Sequence, residues 1–86
     1  MSLPSDAILQ TVRDNLAREL EIAADEVLET SRLDDLPRAD SVRLLRVVSR
    51  LEREYGLEFD DDQIRDAETV ADLVALVLAA QQAVVR

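Results

Sequence analysis

Leu9, Val12, Leu16 and Leu20 recur at spacings of three and four, which places them on one face of a helix. Ser5 has the chemistry of a helix cap, so this first helix is predicted to begin after Ser5 and to end near Leu20. Arg13, Asp14, Arg18 and Glu19 are then expected to lie toward water. A second helix is predicted from Ser41 to Tyr55, with Leu44, Val48, Leu51 and Tyr55 as its buried stripe and Val47 beside it. Gly56 is the expected stop, because the residue just past a helix end often takes a left-handed conformation that glycine adopts freely. The last helix opens at Thr69, where "TVAD" has the form of a capping box with Asp in place of Glu, and Val70, Leu73, Val74 and Val77 continue it. Its end, "AAQQAVVR", is expected to fray.

Between the first two helices the periodicity fades. From Glu21 to Asp40, acids alternate with single apolar residues at Ile22, Val27, Leu33 and Leu36, the pattern of a long loop pinned onto a core. "LEFDDDQIRDAE" reads as a connector holding one helical turn near Asp61 to Asp66, with Leu57, Phe59 and Ile64 facing inward. The predicted fold is all-α, a small bundle of three main helices plus one short one. An 86-residue chain is expected to form one domain, 1–86, with an ordered core of about 5–80.

Composition narrows the chemistry. The chain has no cysteine and no histidine, which removes disulfides, thiolate metal sites and imidazole catalysis. Its formal net charge of −9 argues against nucleic acid, whose phosphates are bound mainly by Lys and Arg. "MSLPSDAILQ" is broken by Pro4 and Asp6 before any apolar run, so no secretory signal is expected. No apolar run approaches the roughly 20 residues of a membrane span, and the expected place of work is the cytoplasm. The triplet Asp60, Asp61 and Asp62 lacks the Gly and Glu of a calcium loop, and no metal site is expected.

The candidate chemistry lies in "DDLPRADSV". An Asp-Ser pair alone marks only a helix start. Followed by "LEREYGLEFDDD" and "TVADLVALV", it resembles the acyl carrier protein family, helical bundles that hold acyl groups on a phosphopantetheine arm. The resemblance extends over nearly the whole chain. It puts the family's Asp-Ser-Leu motif on Asp40, Ser41 and Val42. The aromatic-Gly-aliphatic-Glu-aliphatic signature falls on Tyr55, Gly56, Leu57, Glu58 and Phe59. It implies that Ser41 carries covalent 4′-phosphopantetheine, that the protein is a carrier and not an enzyme, and that it works as a monomer. The implied partners are a phosphopantetheinyl transferase, an acyl- or aminoacyl-loading ligase and downstream synthases. Asp40 would serve recognition by the transferase, through that enzyme's magnesium, or simply cap the helix. Val42 is either a contact beside the arm or a core residue. Ser5, Ser31 and Ser49 are poorer candidates, Ser49 because it lies mid-helix.

A serine at a helix N-terminus also suits a phosphodiester on physical grounds, since free N–H groups and the helix dipole favour an anion there. Two features depart from the family pattern. The glycine usual shortly before Asp-Ser is replaced by Pro37, Arg38 and Ala39, so the turn must be made without it. Arg43, Arg46, Arg50 and Arg53 recur at spacings of three, four and three along one face of the second helix, which in fatty-acid carriers is acidic. One reading is a solvated face with short-range ion pairs such as Arg50 with Glu54. The other is a docking face for partners that present acidic or mixed patches, which points to a specialised, natural-product or polyketide-type pathway. An aminoacyl or peptidyl carrier, and an unmodified helical interaction module of the same fold, are the alternatives.

Overall fold

The computed structural model describes residues 4–84. Four α-helices follow one another: α1 (Pro4–Leu20), α2 (Ser41–Tyr55), α3 (Asp61–Asp66) and α4 (Val70–Val84). No strand forms among the described residues, whose only β feature is an isolated bridge between Arg32 and Thr69. Met1 to Leu3, Val85 and Arg86 lie outside them.

Helix α1 starts two residues earlier than expected, at Pro4 instead of Asp6. Pro4 opens it, and Ser5 lies inside the first turn rather than capping it; proline suits a first helical position because its missing N–H would have no partner there. The buried stripe is Ile8, Val12, Leu16 and Leu20, with Leu9 only partly covered beside it. Two residues expected in water are not there. Arg13 donates to the Ala24 carbonyl, in the turn after α1, at 3.0 Å, and the Glu19 side chain is only 10% exposed. Both lie beside the apolar stripe, where neighbouring segments cover them.

Val12, Leu16, Leu20, Val47, Leu51, Val70 and Val77 meet in the core with essentially no exposure. Helix α1 packs against both α2 and α4, and α3 leans on α4. The long connection between α1 and α2 is held as its apolar residues predicted: Val27, Leu33 and Leu36 are buried, and Ile22 packs against them. It contains two short 3₁₀ turns, Ala24–Glu26 and Leu33–Asp35. The connection also satisfies the start of α4. The Val70 and Ala71 N–H groups donate to the Ser31 and Glu29 carbonyls, and Leu33 N–H donates to Glu68 O at 2.9 Å. Those first N–H groups have no partner within their own helix, so the loop seals α4.

Helices α2 and α3 have the predicted bounds. Gly56 ends α2 at φ 64°, and the Gly56 and Leu57 N–H groups both return to Glu52 O. Asp60 caps α3 by accepting from Asp62 N–H at 2.8 Å, which gives the acidic triplet a local structural role. The box at Thr69 closes as expected: Asp72 accepts from the Glu68 and Thr69 N–H groups and its own N–H donates to Thr69 Oγ1. Helix α4 runs to Val84, and Val85 and Arg86, which end the stretch expected to fray, lie outside the described residues.

Candidate functional site

The turn into α2 is made without glycine by putting an arginine where glycine would be easier. Arg38 takes φ 65° and Glu21, at the other end of the connection, takes φ 59°. Their side chains pair at 3.1 Å, closing the loop at its two strained points. Left-handed backbone is uncommon for side chains of this kind, so the surrounding contacts must hold it.

Asp40 then caps α2. Its backbone is extended and its Oδ1 accepts from Arg43 N–H at 2.8 Å, while Leu44 N–H donates to Asp40 O. This division of labour matters for Ser41. Because the aspartate takes the capping bond, Ser41 sits at the first helical position, exposed, with its hydroxyl bonded to no described residue. The Ser41 and Val42 N–H groups have no partner among the described residues either, which leaves the helix N-terminus able to receive an anion. Val42 is 59% exposed and lies outside the core.

Ser41 also borders an open cleft of about 640 Å³. Leu33, Leu44, Leu45, Val48, Ile64 and Leu73 form its apolar lining, and Arg32, Asp34, Asp61, Arg65 and Glu68 also border it. The serine thus joins a polar helix end to an apolar groove between α2, α3 and the loop. Among the described residues no group of three or more carboxylates gathers as metal ligands would.

The arginine stripe is partly consumed within the molecule, by a residue that the sequence reading placed outside. Glu19 accepts from Arg50 at 3.0 Å and from Arg46 at 3.4 Å. Arg43 pairs with Asp40 at 3.5 Å and donates to the Glu19 carbonyl at the end of α1, a favourable place for a cation. The suggested pairing of Arg50 with Glu54 does not occur; Glu19 takes its place, because the face carrying Arg50 turns toward α1. Glu52 does not neutralise the stripe, since its carboxylate turns away to accept from Phe59 N–H. Arg53 is exposed and pairs with no described residue. A signal for Glu19 was present: it stands three residues after Leu16, on the apolar stripe of α1, where a carboxylate needs a cation. Leu45, 55% exposed one turn after Ser41, was also overlooked.

Comparison with known proteins agrees with this geometry. Residues 10–77 match the family model described as "Phosphopantetheine attachment site". The chain is 33% identical to the acyl carrier protein of Tropheryma whipplei (strain Twist), an alignment covering 94% of this chain and 99% of that one. It is 33% identical to the acyl carrier protein of Clostridium acetobutylicum over 84% and 94% of the two chains. The solved structure of an acyl carrier protein from Enterococcus faecalis superposes with a TM-score of 0.73 at 28% identity, over 91% of this chain and 99% of that one. Its match to the attachment-site model over most of its length, on this fold, shows that the chain belongs to the acyl carrier protein family, the non-catalytic carriers that hold acyl groups on a phosphopantetheine arm.

Proposed function

We propose that Ser41 is the residue that carries 4′-phosphopantetheine, and that residues 1–86 act as one carrier domain for a specialised biosynthetic pathway of the natural-product or polyketide type. The observation that carries this reading is the free Ser41 hydroxyl at the α2 N-terminus, released because Asp40 does the capping. Loading needs coenzyme A and a transferase. The Ser41 oxygen forms a bond to the pantetheine-side phosphorus, the pyrophosphate P–O bond breaks, and adenosine 3′,5′-bisphosphate leaves. The serine proton goes to a base on the transferase, because this chain has no histidine to take it. The residues present fit the group. The unpaired Ser41 and Val42 N–H groups at the start of α2 would favour the negative charge of a phosphodiester on Ser41, and the cleft beside Ser41 would offer an apolar wall to whatever the arm holds.

Once bound, the arm supplies a thiol that holds cargo as a thioester; the protein positions and presents it. The partners are then the loading transferase, a ligase that charges the thiol, and the enzymes that act on the cargo in turn. An acyl cargo is favoured over an aminoacyl one by the names of the relatives. No helix among the described residues is long and apolar enough to cross a membrane, which supports a cytoplasmic place of work. The specialised pathway rests on the arginines of α2, a face unlike the acidic one of fatty-acid carriers. Intact mass before and after incubation with coenzyme A, magnesium and a broad-specificity transferase tests the attachment. The wild type should gain one phosphopantetheine group and Ser41→Ala none; a gain retained in Ser41→Ala would move the attachment elsewhere.

A further inference from the structure

Any enzyme that esterifies Ser41 must bring its active site to the first turn of α2, so the surface around that turn is buried whenever loading occurs. Helix α2 has 15 residues, about 22 Å at 1.5 Å per residue. A standard interface of roughly 800 Å² per partner therefore reaches along most of it. The exposed surface it would cover is a shallow depression lined by Val42, Leu45, Arg46, Ser49, Arg50 and Arg53. Two large aliphatic side chains stand in water there, next to three guanidinium groups.

Helix α2 gathers four of the chain's ten arginines on a molecule whose net charge is −9. Arg46 and Arg50 pair with Glu19 and Arg43 with Asp40, whereas Arg53 has no partner among the described residues; the Glu52 carboxylate is at the Phe59 amide and Glu54 is exposed beyond Arg53. Charges more than about 8 Å away are largely screened at physiological salt, so the local balance governs docking more than the overall −9 does. The arginines are also held in place. Glu19, nearly buried, fixes Arg46 and Arg50 from below, so less side-chain freedom is lost when a partner binds.

We propose that the enzyme that loads Ser41 presents a carboxylate-bearing surface to Arg46, Arg50 and Arg53, with an apolar recess for Val42 and Leu45. This rests on the carrier reading and names the chemistry of its partner. Arg53 is the residue to test. Arg43 and Arg46 bond to Asp40 and Glu19, so reversing them would place like charges together; Arg53 has no internal partner among the described residues, so its reversal breaks no ion pair.

The experiment is loading of the full apo chain by a phosphopantetheinyl transferase from the organism that encodes it, followed as kcat/KM. Arg53→Glu should lower kcat/KM about five- to tenfold, carried by KM with kcat unchanged, as reversal of a rim charge slows encounter more than chemistry. Arg53→Lys should restore most of the loss, and raising salt should slow the wild type until the two proteins converge. Unchanged or faster loading of Arg53→Glu would overturn the proposal while leaving the carrier reading intact. Absence of any mass gain in the folded wild type would overturn both. Dimerisation of the apo chain that Arg53→Glu abolishes, seen by sedimentation, would assign the face to a second copy and also overturn it.

Discussion

Arg38 does the work of a glycine in the turn before Ser41, and its substitutions separate backbone strain from ion pairing. Its φ of 65° suits glycine and disfavours branched side chains, while its ion pair with Glu21 is exposed on both sides. Arg38→Val should therefore destabilise by about 1–2 kcal/mol, and Arg38→Gly should stay within about 0.5 kcal/mol of the wild type, relief of strain offsetting the lost pair and glycine's extra unfolded-state freedom. Equal losses in chemical denaturation would mean that the Glu21 contact, not the backbone, holds the turn. Glu19 offers a second contrast. It is nearly buried and accepts from two arginines, so Glu19→Ala should cost about 1–3 kcal/mol by leaving Arg50 without its partner. Glu54→Ala, which breaks no ion pair, should change stability by less than about 0.5 kcal/mol. A similar cost at both positions would contradict the assignment of Glu19 as the anchor of the stripe.

At the scale of elements, the cap of α4 ties stability to pH. Asp72 lies below the ordinary carboxylate range, held there mainly by the Glu68 N–H and then the Thr69 N–H that its charged form accepts. A carboxylate depressed on folding stabilises the protein fully above its unfolded value, near 3.8, and loses that contribution as pH falls through the folded value. Thermal melts of Asp72→Asn should accordingly show a lower Tm than the wild type at pH 7 and a gap that narrows as pH drops below about 4. A gap independent of pH would remove the capping charge from the account. This cap was legible in "TVAD", as were the bounds of α2 and α3, because caps and a stopping glycine leave local marks. The start of α1 was not, since Ser5 and Pro4 both suit a helix start and only one can begin it. The partner of Arg50 was hidden for another reason. Periodicity within α2 names neighbours three and four residues away, whereas Glu19 lies 31 positions back and meets it only when α1 and α2 pack.

Over the whole molecule, a single core sets the geometry on which function depends. Packing of α1 against α2 turns the arginines toward Glu19 and leaves Val42 and Leu45 outside, while the pinned loop and α3 form the cleft beside Ser41. The motif residues were readable because each has a local job: Asp40 caps, Ser41 is left free, and Gly56 turns the chain. The cleft and the neutralisation of the stripe depend on side chains that meet only in three dimensions. The central claim concerns one hydroxyl, and it is tested most directly on protein purified from its own host. Trypsin, cutting after Arg38 and Arg43, releases "ADSVR", a peptide with Ser41 as its one hydroxyl side chain. Fragmentation of that peptide should show phosphopantetheine on Ser41. An unmodified "ADSVR" from folded protein, or the group on any other serine, would contradict the account.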